Sequence, residues 1–422
     1  MTTTLRPEID YGDLIKEDRI HGRLYHDPDI FEDEFTRIWY RQWIYIGHES
    51  EVPEPGDYRT KQMGRQPVIM VRHEDGQVHL LLNRCAHRGN IVCQNERGNA
   101  HVFRCAYHGW TYSNQGYLLA ATFATAYGDS FRKEDYALAP VPRVDSYRGL
   151  IFASLAPTGC TLSEHLGRAT EYLDQFIDYS PDGELELRSG VQKARYRGNW
   201  KMMAENSLEG NYHGHFIHQF IFTLNRVRSG GINTVDIANE ENPAKVIYLA
   251  GGHMVEDLAM SPMPLANTEG QAWQIYMGAL KERLGEEKTH KVLGGGVPLI
   301  FIFPNLIMIQ SQIRVLQPIS PTETYVHYYP TLLKGVPQEI NTLRLRGHER
   351  SYGPGGFISA DDLEICERNQ LGMEAQVDEW LQLKRGLHRE TVHLDGGTSG
   401  YGMDENNLRG LWRHYKKVMS EP

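Results

Sequence analysis

Two cysteines and two histidines form the most distinctive group of potential metal ligands in the sequence. Cys85 and His87 stand one residue apart, and after a further seventeen residues Cys105 and His108 complete the pattern C-x-H, C-x-x-H. Two thiolates and two neutral imidazoles suit a [2Fe–2S] cluster, and the imidazoles raise its potential above that of an all-cysteine cluster. A structural zinc site accepts the same ligand types. Because C-x-H is shorter than usual zinc-finger spacings, the pattern favours the iron–sulfur interpretation.

A second pair of histidines lies further along the chain, at His213 and His218. Five residues correspond to about 500° of rotation on a regular α-helix, so these imidazoles do not share a helix face. They converge on one ion if the helix ends or bulges between them, which Gly214 permits. The alternative is a pair of packed or surface histidines, and the spacing alone does not decide between the two.

Both groups stand in segments that resemble one enzyme family. The flanks Arg88-Gly89 and Gly109-Trp110 are similar to the Rieske domain of aromatic-ring-hydroxylating oxygenases. Asn199-Trp200-Lys201 and Glu205-Asn206 resemble the segment that precedes the iron-binding histidines of the same family. The resemblance implies a Rieske [2Fe–2S] cluster and a mononuclear Fe(II) in a 2-His-1-carboxylate triad with open positions for O2.

The resemblance also assigns metal ligands by position. The cluster ligands would be Cys85, His87, Cys105 and His108, and the mononuclear iron would be bound by His213, His218 and Asp362. The aspartate ends a stretch from Gly353 that is similar to the family's G-P-x-G-F segment, and Asp361 is the alternative ligand. Two adjacent aspartates would also suit the start of a helix. His215 matches no ligand position.

Substrate-binding positions are implied in the same way. The residues that resemble the family's pocket are Asn206, Ser207, Tyr352 and Ile358. The polar Ser207 and Tyr352, together with segments similar to terephthalate- and salicylate-type oxygenases, favour an aromatic carboxylic acid over a neutral or polycyclic aromatic. Arg314 could pair with the carboxylate of such a substrate, although a structural role for this arginine is slightly favoured.

One position departs from the family pattern. Relatives carry an acidic residue three positions before the first iron histidine, where it bridges to a Rieske histidine of the neighbouring subunit. Here that position is Gly210, the nearest acid is Glu209, and Asn211 reads as an extra residue. Because positions i and i+4 share a helix face, we predict that Glu209 orients His213 and forms the bridge. The alternative is an ordinary solvated glutamate.

The chain has no motif for taking electrons from a nicotinamide. It contains neither G-x-G-x-x-G after a strand nor the C-x4-C-x2-C of a plant-type ferredoxin. The resemblance therefore implies an NAD(P)H-dependent reductase, a ferredoxin or both as partners, and a head-to-tail ring of subunits. We expect an α3β3 assembly with a small β subunit, or α3. A Rieske electron-transfer protein without oxygenase activity, and a zinc protein with a hydrolytic His2Asp site, are the alternatives.

Composition supports a globular protein of ordinary character. The 422 residues carry a formal net charge of −10, which disfavours nucleic-acid binding. The longest apolar run, residues 297–309, contains prolines and is too short for a membrane span. The first residues form no apolar signal segment, and three scattered further cysteines suggest a reducing compartment. We therefore expect a cytoplasmic protein.

Hydrophobic patterning predicts an α+β fold with an all-β Rieske domain and a helix-grip-like catalytic domain built on an antiparallel sheet. The expected divisions are an N-terminal helical segment over 1–43, a Rieske domain over 44–157 and a catalytic domain over 158–422. A hairpin is predicted over 67–83, core strands over 299–315 and 324–333, and helices over 31–43, 362–383 and 404–418. Residues 230–296 suggest long loops.

Overall fold

The computed structural model describes residues 9–209, 212–228, 244–257, 270–294 and 296–421, with the side chains of residues 215, 222 and 225–228 excepted. Gly210, Asn211 and the side chain of His215, which the sequence singled out, lie outside the described residues. The chain forms two compact units. The larger contains the described residues up to Ile38, Ser163–Leu185 and the residues from Ser189 onward, and the smaller contains Trp39–Leu162 with Glu186–Arg188.

The described helices and strands occur in the following order. The helices are α1 (Tyr11–Leu14), α2 (Arg23–His26), α3 (Pro28–Glu34), α4 (Leu162–Leu166), α5 (Ala169–Ile177), α6 (Trp200–Leu208), α7 (Gln219–Arg228), α8 (Gln271–Leu284), α9 (Glu286–Gly294), α10 (Gln338–Tyr352), α11 (Ser359–Gly372) and α12 (Asn406–Ser420). The strands are β1 (Arg19–His21), β2 (Ile44–His48), β3 (Asp57–Met63), β4 (Gln66–Arg72), β5 (Val78–Leu82), β6 (Arg97–Asn99), β7 (Val102–Arg104), β8 (Thr111–Ser113), β9 (Leu118–Ala120), β10 (Arg143–Tyr147), β11 (Leu150–Ser154), β12 (Leu185–Glu186), β13 (Gln192–Tyr196), β14 (Lys245–Leu249), β15 (His253–Asp257), β16 (Leu299–Ile302), β17 (Leu306–Ile309), β18 (Gln312–Ser320), β19 (Glu323–Pro330), β20 (Leu332–Leu333), β21 (Trp380–Gln382), β22 (Thr391–Val392) and β23 (Thr398–Tyr401).

The smaller unit consists of three antiparallel sheets. Their strand orders are β5-β4-β3-β6, β7-β8-β9 and β10-β11-β2. The predicted hairpin is confirmed as β4 and β5, which turn at Gly76 with φ +81°. Apolar residues of the first two sheets, among them Ile69, Leu81 and Phe103, meet in one core together with Trp110 from the second loop of the metal motif. This core supports the two loops that carry the first metal motif.

The larger unit is built on a nine-stranded antiparallel sheet in the order β13-β19-β18-β17-β16-β15-β14-β23-β22. Residues paired across antiparallel strands lie on the same face. Met254 pairs with Phe301, Phe301 with Ile307, Ile307 with Arg314 and Arg314 with Tyr328, so these five side chains form one row across the sheet. The α+β prediction with an antiparallel sheet is confirmed.

Two helices pack on the face of the sheet that carries this row. Arg314 contacts Ser207 of α6, with 3.4 Å between Nη1 and Oγ. Asn407 of α12 donates to the carbonyl oxygens of Leu208 and Val255, each at 3.1 Å, and so ties the end of α6 to β15. The face therefore holds the end of α6, where the second metal motif begins.

Several element predictions hold and two fail. The aromatic stripe predicted over 31–43 occupies α3 and a π-helical turn over Phe35–Trp39, and α12 agrees with the helix predicted over 404–418. The helix predicted over 362–383 ends at Gly372, and Trp380–Gln382 instead pairs with Arg19–His21. The loops suggested for 230–296 are wrong in the described part, which contains β14, β15, α8 and α9.

No described helix combines the length and the apolar character that crossing a bilayer requires.

Candidate functional site

The two loops of the first motif adopt the same turn. The Cys85 carbonyl accepts a hydrogen bond from the Gly89 amide at 2.9 Å, and the Cys105 carbonyl accepts one from the Gly109 amide at 3.0 Å. Both glycines have φ +71°, a left-handed conformation that residues with a side chain rarely adopt. Each loop therefore turns back within four residues and presents one thiol and one imidazole, although the histidine is two residues after the cysteine in the first loop and three residues after it in the second.

The four side chains of this motif meet at the edge of the smaller unit. The rings of His87 and His108 have centroids 4.6 Å apart, and His87 stacks on Trp110 at 4.9 Å. Cys85 and Cys105 are buried, and Cys85 Sγ lies 3.2 Å from Tyr112 Oη. The packing beneath the loops thus fixes the direction of both the sulfur and the imidazole ligands.

The donor set fits a cluster better than a single ion. His87 Nδ1 is buried and has no hydrogen-bond partner among the described residues. Burial, with the neighbouring His108 and Arg88, lowers the pKa of His87, which favours the neutral imidazole that a metal requires. In a zinc site the ligand atoms would lie roughly 3.5 Å apart. Across the described chain, no three of these four side chains bring their ligand atoms within 4.8 Å of one another.

The second motif converges because α6 ends before it. His213 lies in a 3-10 turn over His213–His215, and His218 immediately precedes α7. Asp362, in the first turn of α11, joins them, and the ligand atoms of these three residues all lie within 4.8 Å of one another. Asp362 Oδ1 is 3.0 Å from His218 Nε2 and 3.6 Å from His213 Nε2. Because no continuous helix joins His213 to His218, the two imidazoles are not separated by the rotation of about 500° that a regular helix would impose.

The surrounding charges favour a metal-binding arrangement of these groups. Burial opposes ionisation of Asp362, but hydrogen bonding to His218 and the charges of Arg314 and His213 hold its pKa below its usual range. Burial opposes protonation of His213, but the hydrogen bond to Glu209 and the nearby carboxylates raise its pKa, so this position stabilises a positive charge, which a metal ion bound to the neutral ring would supply in place of the proton. A buried anion and imidazoles held by carboxylates form the facial set that non-haem iron(II) prefers.

Two further carboxylates orient the histidines. Glu209 Oε1 lies 2.7 Å from His213 Nδ1 and also accepts the His213 amide at 2.9 Å. Asp361, with a side chain 45% exposed, places Oδ2 3.4 Å from His218 Nδ1. Both contacts engage Nδ1, so Nε2 of each imidazole is directed to Asp362. The structure therefore gives Asp361 and Asp362 different surroundings, which the sequence did not separate.

The predicted pocket residues are dispersed around this centre. Arg314 is buried with Nη1 3.6 Å from Asp362 Oδ2, and its guanidinium lies 5.2 Å from the ring of the buried Tyr352. Ser207 is buried and donates to the Met203 carbonyl at 2.8 Å. Ile358 and Asn206 are half-buried. The residues thus stand on α6, on β18, at the end of α10 and in the segment that leads into α11.

One residue near the centre was missed by the sequence analysis. Glu256 of β15 is 1% exposed, and neither carboxyl oxygen has a hydrogen-bond partner among the described residues. It interacts electrostatically with His213 and Glu209. An acid inside the apolar stretch Met254-Val255 was the available signal, but the surrounding residues suggested a loop and concealed the strand.

Comparisons with known proteins agree with both centres. The family described as Rieske [2Fe-2S] domain matches residues 42–129, and the family described as ring hydroxylating alpha subunit (catalytic domain) matches residues 176–421. The large subunit of 2-halobenzoate 1,2-dioxygenase from Burkholderia cepacia is 34% identical over 87% of this chain and 80% of its own length. The large subunit of anthranilate 1,2-dioxygenase from Acinetobacter baylyi is 31% identical over 92% of this chain and 84% of its own.

A solved structure shows the same architecture. Naphthalene 1,2-dioxygenase from Rhodococcus sp., bound to indole, superposes with a TM-score of 0.84 over 98% of this chain and 97% of its own, at 26% identity. The fold and the two centres define an oxygenase with a Rieske cluster and a mononuclear iron. The chain belongs to the family of ring-hydroxylating oxygenase alpha subunits.

Proposed function

We propose that this chain is the terminal oxygenase component that adds oxygen from O2 to the ring of an aromatic carboxylic acid. The observation that carries the proposal is the convergence of His213, His218 and Asp362 in a chain of this family. Relatives that act on 2-halobenzoate, anthranilate and toluate favour an acid substrate. The bound iron would supply O2 activation, and the cluster would supply single electrons.

The residues that hold these groups follow from the geometry. The [2Fe–2S] cluster would be bound by Cys85, Cys105, His87 and His108, and the mononuclear iron by His213, His218 and Asp362. Glu209 and Asp361 keep the imidazoles in the orientation that leaves Nε2 available, as carboxylates beside metal-bound histidines do. These roles are supported by the orphaned His87 Nδ1 and by the compact triad.

Glu209 has a second proposed role in electron transfer. Its side chain is 21% exposed, so it can reach beyond the larger unit while Oε1 holds His213. We expect it to accept a hydrogen bond from a Rieske histidine of a neighbouring subunit, in place of the acid that relatives carry one residue later. Asn206 lies on α6 and is half-buried, and we expect it to contribute to the catalytic site near Glu209.

Arg314 is the proposed contact for the substrate carboxylate. One of its terminal amino groups faces Asp362 and Ser207, whereas Nε is buried without a hydrogen-bond partner among the residues described. A buried guanidinium with an unused donor is suited to a carboxylate ligand. Tyr352 would line the same pocket from the end of α10, Ile358 from the segment that leads into α11, and Ser207 from α6.

The proposed redox partners would supply the electrons that this chain, without a nicotinamide-binding motif, does not take from NAD(P)H itself. A separate reductase, with or without a ferredoxin, would supply electrons from NAD(P)H. The relatives are described as large or alpha subunits, which supports assembly with a small β subunit as α3β3, or as α3 alone. We place the protein in the cytoplasm, where NAD(P)H is available.

Reconstitution tests the proposal directly. The holoenzyme is combined with a reductase and a ferredoxin, and O2 uptake and products are measured with benzoate, 2-aminobenzoate, 2-hydroxybenzoate and naphthalene. We expect uptake coupled to a hydroxylated product with at least one acid. Uptake with naphthalene alone would contradict the acid substrate. Cluster reduction without uptake on any aromatic would instead indicate an electron-transfer protein.

A further inference from the structure

A carboxyl group without a hydrogen-bond partner among the described residues lies on the face of the sheet that carries Arg314. Glu256 pairs with Leu299, and Met254 two residues earlier pairs with Phe301, so Glu256 shares the face of the row that contains Arg314. Its side chain therefore points to the layer of α6 and α12. Burial raises the pKa of Glu256 to about 8, with His213 opposing and Glu209 adding to the shift.

Glu256 is close to the iron site but is not one of its ligands. The three ligand atoms of His213, His218 and Asp362 form a complete group, and Glu256 does not belong to it or to any other metal-binding group in the described part of the chain. The carboxyl group and Arg314 stand on strands three apart, roughly 14 Å across the sheet. Arg314 contacts Asp362, whereas Glu256 interacts electrostatically with His213, so the two side chains lie next to different residues of the proposed triad.

A buried carboxyl group without a hydrogen bond is unfavourable, because burial removes the water that would otherwise satisfy its polar atoms. Such a group is retained where a ligand completes its hydrogen bonds. The carboxyl group of Glu256 accepts from N–H and O–H groups in either protonation state, and in its charged form it repels the carboxylate of an acid substrate. A ring substituent with an N–H or O–H group would therefore complete the hydrogen bonds of Glu256 while Arg314 holds the carboxylate.

We propose that Glu256 is a substrate-binding residue that receives an N–H or O–H substituent on the aromatic ring, opposite the carboxylate held by Arg314. This assignment rests on the proposed function and narrows the substrate to amino- or hydroxy-substituted aromatic acids. A methyl group of the same size would leave Glu256 unpaired, which is how a polar site rejects an apolar analogue.

Equilibrium binding to the reduced holoenzyme without O2 tests the assignment separately from turnover. Calorimetry compares 2-, 3- and 4-aminobenzoate with the corresponding methylbenzoates, and hydroxybenzoates distinguish O–H from N–H donors. For at least one ring position we expect the donor-bearing acid to bind roughly tenfold to hundredfold more tightly. Equal affinities of every amino and methyl pair for the unmodified enzyme would overturn the proposal without any variant.

Variants on one strand provide the matched comparison. Glu256→Met should abolish the preference for the donor-bearing acid while the iron content and the Rieske spectrum stay unchanged, and Glu256→Gln should keep part of it. Met254→Leu, on the same strand and face, should keep it entirely. A preference that survives in Glu256→Met, or falls equally in Met254→Leu, would show that Glu256 acts only through packing.

The same measurement separates this proposal from the acid substrate. Aniline and toluene form a neutral pair that differs only in the donor. If no acid binds but aniline binds more tightly than toluene in a Glu256-dependent way, the carboxylate assignment fails and the Glu256 assignment stands. If acids bind with no difference between donor-bearing and methyl forms, the Glu256 assignment fails and the carboxylate assignment stands.

Discussion

Asp361 and Asp362 are adjacent in the sequence but differ in burial and in the residues they contact. Asp362 is 2% exposed and contacts both histidines and Arg314, whereas Asp361 is 45% exposed and reaches only His218 Nδ1. Of the two aspartates, Asp362 directs a carboxylate oxygen to the point that both histidines share, as a metal ligand must. Asp361 instead orients the imidazole of His218, whose Nδ1 it contacts.

Alanine substitution separates these two roles. We expect Asp362→Ala to lose the mononuclear iron and turnover while the Rieske spectrum remains, because one of three ligands is removed. Asp361→Ala should keep the iron and remain within about tenfold of the original rate, since it loses only an orienting contact. Iron analysis and O2 uptake measure both. Turnover that survives in Asp362→Ala but not in Asp361→Ala would exchange the assignments.

Glu209 supports a second prediction at the residue scale. Glu209→Gln keeps the side-chain length but weakens the acceptor that faces His213 Nδ1 at 2.7 Å. We expect both metals and the oligomer to be retained, and electron transfer from the reduced cluster to the iron to slow at least tenfold. Single-turnover kinetics of the pre-reduced enzyme measure the step. An unchanged rate would assign the bridge to another residue.

Helix α6 connects several elements of the larger unit through buried polar contacts. Its side chains enter a buried polar network: Lys201 pairs with Glu34, and Glu205 accepts hydrogen bonds from Tyr25 at 2.8 Å and from Trp412. The network joins α6 to α3 and α12, so the end of α6 that precedes His213 is held from two sides. Burial raises the pKa of Glu205 to about 7, although Tyr25, Trp412 and Lys201 oppose the shift.

The raised pKa predicts how stability varies with pH. Between about pH 4.5 and 7 the folded state keeps a proton on Glu205 that the unfolded state releases. Stability contributed by this group is therefore present at low pH and is lost as the pH rises through about 7. The loss is at most about 3 kcal/mol.

Glu205→Gln should flatten this dependence. Thermal unfolding midpoints of the holoenzyme measured from pH 5 to 8 should fall less steeply in the variant than in the unmodified protein. The exposed Glu374→Gln serves as the control and should follow the unmodified curve. Parallel curves for all three proteins would show that Glu205 titrates alike in the folded and unfolded states.

The sequence predicted elements and ligands where a local pattern carries them. The cysteine and histidine spacings, the hairpin of β4 and β5 and the stripe of α12 are such patterns. Glu256 escaped because β15 is buried on both faces and has no alternation, and because Gly251-Gly252 indicate a loop when they turn the hairpin of β14 and β15. The break after Gly372 depends on pairing with a strand near residue 20, which no local pattern reveals.

At the scale of the whole molecule, the two proposed ligand sets lie in different compact units. Cys85 to His108 fall in the smaller unit, whereas His213, His218 and Asp362 fall in the larger. Each unit has its own core and its own sheets. Loss of one metal centre should therefore leave the other in place.

Iron counting with spectroscopy tests this independence. The holoenzyme should contain about three irons per chain, His108→Ala about one and His213→Ala about two. His108→Ala should lack the Rieske absorption and unfold at a lower temperature, because a cluster ligand also links the two loops. His213→Ala should keep the colour and lose turnover. A colourless His213→Ala would show that the two centres depend on each other.

The separation of the two ligand sets also orders events during synthesis. The chain emerges from the ribosome with its amino-terminal part first, and domains fold as units. Residues 39–188 complete the smaller unit, whereas the iron triad waits for Asp362 and the contact that ties α6 to β15 waits for Asn407. The nascent chain can therefore receive its cluster while the iron site does not yet exist, so a shortage of sulfide would affect the cluster alone, whereas a shortage of ferrous iron would affect both centres.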